Sequence, residues 1–369
     1  MTGTLGWLRG NPLRLLKMVA RHGMDMRCMT VLFIYLLKSF VFLPFHLYEY
    51  LFLSRSISRH TITLTPVFVI GHFRSGTTML HKILAADTQF GYFRNYDLVL
   101  PGSLFPGSLV LRSALRRMIC NLKVPSFAYN NVVFDLEDPQ EEDMCMVTSF
   151  ASISYYWLFV FPTLASQHFS RYVSFESENE KRQWQQEYLY YLKHISRKHN
   201  GKRLLLKNPP NMARIKAILE LFPQAKFIFL YRNPRDVLFS TKRIWQVGTR
   251  QFSLQKMDER KLDALIIDIY TKLHEQYGRE KHDISDQNLI EIRYEDLERD
   301  PSGVVQSIYS QLALDTKNLT QVHKKVAEER SYSKFHYGTD EALSRRIDRD
   351  LAKYLDQWKT LTSSSVRNS

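Results

Sequence analysis

The stretch VFVIGHFRSGTTML (Val67–Leu80) decides the fold, and it opens with a short apolar run that ends at Gly71. A second glycine, Gly76, is followed at once by hydroxyl side chains. The apolar run predicts a buried strand, and residues 76–86 show helical periodicity. A turn between a strand and a helix directs backbone N–H groups at one point, where the helix dipole favours negative charge. The stretch therefore predicts an anion-binding loop, the alternative being a plain strand–helix turn with incidental hydroxyls.

The phosphate loop of nucleotide kinases has the same glycine spacing but continues with a lysine that reaches the terminal phosphates. Thr77 occupies that position here, and the cation of the loop is Arg74. A planar guanidinium can clamp a phosphate or sulfate through two hydrogen bonds. The predicted anion site comprises Arg74, Ser75, Gly76, Thr77 and Thr78.

Short apolar runs and helical segments alternate along most of the remaining chain. Runs at 203–206, 226–231 and 289–294 predict further buried strands, and helical periodicity appears at 212–222 and 235–245. Such units in series predict an α/β chain with a P-loop-like three-layer fold, in which helices flank a central parallel sheet. We expect a main domain at 61–361 with a helical substrate-side insertion at 90–200, and a flexible tail at 362–369.

Two more cationic residues follow predicted strands. Arg232 comes directly after the strand 226–231, at the end where ligands bind in open α/β sheets. Ser240 lies about a turn and a half inside the next helix, so the two side chains can hold a second phosphate group. The alternative is a surface ion pair and a buried small residue. Lys207 follows the strand 203–206, and its alternative is a surface lysine whose stem covers apolar neighbours.

Five stretches, in order between residues 60 and 350, resemble sulfotransferases that use 3'-phosphoadenosine 5'-phosphosulfate, in the membrane-associated and bacterial branch of that family. The first and third are specific by themselves. The stretches are GHFRSGTTMLHKIL (71–84), DPQEEDMCM (138–146), RLLLKNPPNMARIKAILELFPQAKFIFLYRNP (203–234), YEDLERDP (294–301) and HYGTDEAL (336–343).

The resemblance implies a role for each candidate residue. The loop would hold the 5'-phosphosulfate, Arg232 and Ser240 the 3'-phosphate, and Lys207 would reach the sulfonate oxygens. Sulfuryl transfer should resemble phosphoryl transfer, with a loose in-line transition state, and it requires no metal. The family usually has a histidine where this chain has Asn211, which puts any role of that histidine in doubt. Its cytosolic branch has lysine where this chain has Arg74.

The general base must be a carboxylate or a histidine. Glu141 is preferred because the resembling branch places an acid there, while Glu142 and Asp143 remain possible. All three follow Pro139 at a predicted helix start, where acids also serve as caps. His72 is expected to have a positioning or structural role.

The N-terminal segment 1–60 is basic and then apolar. Before Cys28, five basic residues face one acid, and a very apolar stretch runs to Leu53. Lys38 near its middle costs about 2.5–3.5 kcal/mol on membrane-insertion scales. The pattern favours a membrane-surface or re-entrant helix, with a spanning helix or a buried core helix as alternatives.

The sequence thus predicts an enzyme that moves a sulfuryl group from 3'-phosphoadenosine 5'-phosphosulfate to a hydroxyl of an apolar acceptor, such as a lipid, sterol or lipid-linked sugar. We expect a membrane surface as partner, no nucleic acid, and a location facing the cytoplasm. The formal charge of +14 suits an anionic partner. The aromatic stretch 150–169 either lines an apolar pocket or packs in the core. The alternatives are a nucleotide kinase and a non-catalytic membrane-associated binding protein of the same fold.

Overall fold

The computed structural model describes residues 12–99, 135–148, 154–329 and 340–366, with residues 113, 114, 116 and 117 and two short strands at 125–126 and 129–133. Parts of the predicted insertion therefore lie outside the described residues. So do the first residues of the stretch HYGTDEAL and residues 150–153 of the aromatic stretch.

The described strands form a five-stranded sheet of order β2-β5-β1-β6-β7 and a separate two-stranded sheet of β3 and β4. β2 pairs in parallel with β5, and β6 pairs in parallel with both β1 and β7. The strands are β1 (Val67–Ile70), β2 (Phe90–Gly91), β3 (Pro125–Ser126), β4 (Tyr129–Val133), β5 (Arg203–Lys207), β6 (Lys226–Tyr231) and β7 (Leu289–Arg293). The predicted α/β fold, with helices flanking a parallel sheet, is confirmed.

The helices lie between and around these strands. They are α1 (Pro12–His22), α2 (Met29–Tyr48), α3 (Ser54–Arg59), α4 (Thr77–Leu84), α5 (Asn95–Val99), α6 (Glu142–Thr148), α7 (Trp157–Val160), α8 (Ala165–Phe169), α9 (Glu178–Lys198), α10 (Ile215–Leu221), α11 (Pro234–Phe252), α12 (Glu259–Glu280), α13 (Tyr294–Arg299), α14 (Pro301–Gln311), α15 (Leu319–Glu329), α16 (Glu341–Asp350) and α17 (Ala352–Val366). α11 continues seven residues past the predicted end at 245, and α17 extends into the stretch predicted as a tail.

The chain divides into two compact units. The first comprises Met1–Pro66, Thr88–Leu206 and Gly248–Lys256, and the second comprises Val67–Asp87, Lys207–Val247 and Met257–Ser369. The boundaries predicted from the sequence remain predictions, since contacts within the chain group residues differently from sequence order.

The core of the second unit explains why its strands are apolar throughout. Every residue of β1 is fully buried, and the inner residues of β6 are buried as well. Phe68 stacks on Phe227 across the β1–β6 pair at a centroid distance of 5.4 Å. A strand buried on both faces has no polar face, so it appears in the sequence as a continuous apolar run.

The first unit contains the apolar N-terminal segment and the aromatic stretch. A continuous helical segment of 34 residues, Met26–Arg59, is long and apolar enough to cross a membrane by length and composition. The described residues 155–161 of the aromatic stretch are all buried. They therefore pack as core, one of the two outcomes expected for them.

Candidate functional site

The loop between β1 and α4 needs glycine at two positions. Gly71 has φ of 146°, and a Cβ there would lie 2.3 Å from the backbone oxygen of Leu230 in β6. Gly76 has φ of 96°, and a Cβ there would lie 2.3 Å from the ring of Tyr294. Both φ values belong to the region that favours glycine, and both sites lack room for a side chain. The two glycines thus hold the loop close to the ends of β6 and β7.

Arg74 has φ of 71°, a left-handed conformation that is uncommon for a residue with a side chain. Its Nε donates a hydrogen bond of 2.6 Å to Oγ of Ser240 in α11. Within the loop, Oγ of Ser75 donates to the carbonyl oxygen of His72 at 2.7 Å. The loop turn therefore brings Arg74 against Ser240, which is 166 positions away in sequence.

Arg232 lies against the same loop. Its Nη1 donates to the backbone oxygen of Arg74 at 3.3 Å, and its Nη2 donates to Asp236 at 3.3 Å. Its guanidinium carbon lies 4.4 Å from the centroid of the Tyr294 ring, a distance typical of a cation–π contact. Nε of Arg232 is buried and has no hydrogen-bond partner within the described part of the chain. The predicted surface ion pair is present, but it accounts for only part of the contacts of Arg232.

Lys207 is the last residue of β5, and it is buried. Its Nζ donates to Oγ1 of Thr78, in the first turn of α4, at 3.3 Å. A buried lysine amine that contacts a loop hydroxyl differs from a surface lysine that only covers apolar neighbours. Arg74, Lys207 and Arg232 thus meet at the edge of the sheet formed by the carboxyl ends of its strands.

Asn211, where the family usually has histidine, lies in a 3₁₀ turn, Pro209–Ala213, after β5. Its Oδ1 accepts hydrogen bonds of 3.2 Å from Nδ2 of Asn208 and 3.2 Å from Nη1 of Arg214. All three residues are buried. Here the position has a structural use, because a side-chain amide oxygen satisfies two buried donors.

His72 is buried beneath the loop. Its Nδ1 donates to the carbonyl oxygen of Phe73 at 2.9 Å, and its ring lies 4.9 Å from that of Tyr270 and 6.2 Å from that of His274. Burial lowers the pKa of His72 to about 4 and that of His274 to about 3. Both rings are therefore neutral at pH 7, which is consistent with a positioning role for His72.

The three candidate acids lie in the first unit. Glu141 immediately precedes α6, is partly exposed, and accepts a hydrogen bond from the hydroxyl of Tyr156. Glu142 is fully buried and accepts from the hydroxyl of Tyr188 at 2.8 Å. Burial raises the pKa of Glu142 to about 7. Asp143 is also fully buried. Among the three acids, Glu141 alone has a carboxylate that solvent can reach.

Tyr294 is the residue of this site that the sequence did not single out. It is the first residue of α13, directly after β7, and contacts both Gly76 and Arg232. Its position directly after a parallel strand was the available signal, because carboxyl ends of adjacent parallel strands meet at one edge.

A model described as "Sulfotransferase family" matches residues 66–318, most of the chain. The chain belongs to the sulfotransferase family.

The sulfotransferase has a curated relative in Mycobacterium bovis and another in Mycobacterium tuberculosis. Both are named omega-hydroxy-beta-dihydromenaquinone-9 sulfotransferase Stf3. Each is 28% identical over 323 residues, which cover 85% of this chain and 79% of the relative.

Two solved sulfotransferase structures share the fold. STF1 of Mycobacterium tuberculosis has a TM-score of 0.64 at 18% identity and covers 91% of this chain and 90% of its own. STF9 of Mycobacterium avium has a TM-score of 0.69 at 18% identity and covers 95% of this chain and 91% of its own.

The residues present fit the phosphate groups of a sulfonated nucleotide. Gly71 and Gly76 have no side chains that would crowd the loop. A phosphate can therefore approach the backbone N–H groups at the start of α4. The buried Nε of Arg232 is a donor without a partner among the described residues, as expected beside an anion site. No group of three or more His, Cys, Asp or Glu within the described residues is arranged to hold a metal ion. The expected metal independence stays a prediction.

Proposed function

We propose that this sulfotransferase moves a sulfuryl group from 3'-phosphoadenosine 5'-phosphosulfate to a hydroxyl group of an apolar acceptor. The contact of 2.6 Å between Arg74 and Ser240 carries the proposal. It joins the loop assigned to the 5'-phosphosulfate with the residues assigned to the 3'-phosphate. A nucleotide phosphorylated at both positions matches two adjacent anion-binding groups better than a nucleotide with phosphates at one end.

The cations of the site would have separate tasks. Arg74 and the N–H groups of residues 76–78 hold the 5'-phosphosulfate, and they neutralise charge that develops on the leaving phosphate. Lys207 contacts Thr78 and is close enough to the loop to stabilise the sulfonate oxygens. Arg232 holds the 3'-phosphate through the donors that now contact Asp236 and the Arg74 carbonyl, and through its buried Nε. Ser240 orients Arg74 and offers its hydroxyl to the same phosphate.

Glu141 is proposed as the general base that takes the proton from the acceptor hydroxyl. A base must reach the proton it removes, and Glu141 is partly exposed whereas Glu142 and Asp143 are fully buried. The hydroxyl of Tyr156 donates to the Glu141 carboxylate, which fixes its orientation. The sulfuryl group passes from the phosphate oxygen to the acceptor oxygen as the acceptor O–H bond breaks, and its proton moves to Glu141.

The acceptor is proposed to be a hydroxylated lipid. Two relatives are named for a hydroxylated menaquinone, and the helix Met26–Arg59 has an apolar exposed face. A membrane-associated enzyme can take such an acceptor directly from a bilayer. We further propose that the catalytic domain faces the cytoplasm, because three scattered cysteines are too few for a disulfide framework and suit a reducing compartment.

The donor is tested by calorimetry with 3'-phosphoadenosine 5'-phosphate in a magnesium-free buffer, with adenosine 5'-phosphate as the nucleotide that lacks the 3'-phosphate. Arg232→Ala should weaken binding of the first nucleotide by about 1.5–3 kcal/mol, the range for a lost hydrogen bond to a charged group. Binding of the second should change little. Equal losses for both nucleotides would contradict the assignment of Arg232, and a strict magnesium requirement would support the nucleotide kinase alternative.

The acceptor is tested by transfer of radiolabelled sulfate into three pools: a hydroxylated isoprenoid quinone, a sterol and a lipid-linked sugar. The proposal predicts label in the organic phase with at least one pool. If the folded protein binds the donor and labels none of them, the proposed acceptor class is wrong.

A further inference from the structure

The helical segment Met26–Arg59 has an unusual distribution of side chains. Its buried residues form one stripe, and most of them are polar or ionisable: Leu32, Ser39, His46, Glu49 and Ile57. Apart from the basic residues near its two ends, its exposed large residues are apolar: Met26, Met29, Phe33, Ile34, Leu37, Phe40, Val41, Leu47, Leu51 and Phe52. Phe40 is 74% exposed and Phe52 is 68% exposed. A helix on the surface of a water-soluble protein shows the opposite arrangement. The exposed face therefore has to be covered by something apolar.

The polar side of this segment contacts the rest of the first unit along most of its length. The hydroxyl of Tyr35 donates to the backbone oxygen of Phe252 at 2.7 Å. Further along, the Glu49 carboxylate lies 3.6 Å from Nε2 of His194. Nζ of Lys193 donates to the carbonyl oxygen of Ser58 at 2.8 Å. Burial in the protein also lowers the pKa of Lys38 to about 8.

A cavity lies between this segment and α9. It has a volume of about 450 Å³, and the segment contributes His46, Glu49, Tyr50, Ser54 and Ser58 to its lining. The ionisable residues His46 and Glu49 of the apolar stretch are therefore buried in the protein and do not face the surrounding medium.

These contacts are incompatible with a spanning orientation. From Tyr35 to Ser58 the helix rises about 35 Å, more than the roughly 30 Å of a hydrocarbon core. Contacts with the folded unit occur at both ends of this length and within it. A spanning helix would carry Lys193 and His194 of α9 into the hydrocarbon with it, which is strongly unfavourable.

The charged residues around the exposed apolar face indicate which kind of partner covers it. The exposed charged residues of 12–60 are all basic: Lys17, Arg21, Arg27, Arg55 and Arg59. Of the two acids in that range, Asp25 is half-buried and Glu49 is buried. Basic side chains flank the apolar face at both ends and suit anionic lipid phosphates. A second copy of the chain would bring the same positive charges and repel.

We propose that the segment Met26–Arg59 lies in the plane of one leaflet of an anionic bilayer, with Phe33, Phe40 and Phe52 among the acyl chains. The exposed basic residues at its two ends contact lipid phosphates, and the chain does not cross the bilayer at this segment. This inference goes beyond the proposed reaction, because a catalytically inactive chain would bind in the same way.

Membrane binding is tested by flotation of the full chain with vesicles of phosphatidylcholine alone or with 30% phosphatidylglycerol. We expect at least tenfold stronger partition onto the anionic vesicles, weakened at high salt. The double variant Phe40→Ser, Phe52→Ser should partition at least tenfold more weakly, since two phenyl rings no longer enter the bilayer. Leu64→Ser, which removes an apolar side chain that is 43% exposed outside the segment, is the matched control and should bind as the wild type does.

Orientation is tested with a membrane-impermeant maleimide on the vesicle-bound protein, after replacement of Cys120 and Cys145. Cys28 and, in a second chain, Ser56→Cys in place of Cys28 mark the two ends of the segment. The proposal predicts that both thiols react from outside intact vesicles. Protection of one end until detergent is added would establish a spanning helix. Partition unchanged by the double variant, or a dimer in detergent-free buffer that the double variant dissociates, would also overturn the proposal.

Discussion

The two compact units place their polar side chains in opposite ways. In the second unit, Arg74, Arg232 and Lys207 come together at the strand ends around a loop with two glycines. In the first unit, Ser39, His46 and Glu49 are turned into the protein, and apolar side chains cover the outer face of the same helical segment. The first arrangement suits a small anion and the second suits lipid. The two burial patterns therefore support two different proposed partners, which the overall charge of +14 does not separate.

Replacement of the proposed base should give the largest effect on catalysis and tests whether the first unit contributes to the chemistry. Glu141→Gln should lower kcat by about 10²–10⁴-fold, the usual contribution of a general base, while donor affinity stays unchanged. Glu142→Gln is the matched control, since Gln can still accept a hydrogen bond from Tyr188. Single-turnover kinetics with saturating donor measures both variants. A larger loss in Glu142→Gln than in Glu141→Gln would reassign the base.

Gly76→Ala should destroy the arrangement at the strand ends. The added Cβ would meet the Tyr294 ring at 2.3 Å, at a backbone conformation that disfavours alanine. We expect destabilisation by about 2–4 kcal/mol, with at least a hundredfold loss of nucleotide affinity. Gly278→Ala is the control, because nothing lies within 4 Å of its Cβ position in α12, and it should stabilise the protein by about 1 kcal/mol. Urea unfolding and calorimetry report the two effects. If Gly76→Ala bound the nucleotide with wild-type affinity, the claim that nucleotide binding requires glycine at position 76 would be wrong.

The buried acid of the first unit should make stability depend on pH. Burial raises the pKa of Glu142 from 4.5 to about 7, so the folded state keeps a proton that the unfolded chain releases. The contribution of Glu142 is fully present below pH 4.5 and is lost as the pH rises to about 7, for a total of about 3 kcal/mol. Glu142→Gln should lack this decline. Urea unfolding at pH 4.5 and pH 8 measures it, and parallel pH profiles for wild type and variant would contradict the proposed burial.

Much of the fold was predictable because strands buried on both faces appear as continuous apolar runs. The strand 226–231 was predicted with its observed bounds, and 67–70, 203–207 and 289–293 came within a residue or two. Strand β2 was missed, since two residues carry no periodicity. α4 and α10 are shorter than predicted, and α11 is longer, because tertiary packing sets the ends of helices more than local pattern does.

The site was only partly predictable. The loop, Arg232, Ser240 and Lys207 were predicted to form one site. That prediction relied on the rule that ligands bind at strand ends and on the family resemblance. The Arg74–Ser240 contact depends on a left-handed residue at position 74, which no propensity rule would place there. Tyr294 closes the loop by contact with Gly76, and only the three-dimensional structure reveals that packing. Glu141 and Glu142 are adjacent in sequence but differ in burial. That difference, too, comes from three-dimensional packing, which the sequence does not show.

We propose above all that the loop around Arg74 binds the sulfuryl donor for transfer to a lipid hydroxyl. The most direct measurement is transfer of radiolabelled sulfate from 3'-phosphoadenosine 5'-phosphosulfate into a hydroxylated isoprenoid quinone by wild type and by Arg74→Ala, with folding of both verified. We predict a labelled organic-phase product with the wild type and at least a hundredfold lower rate with Arg74→Ala, as for removal of one oxyanion-stabilising donor. Equal rates for the two proteins would contradict the claim.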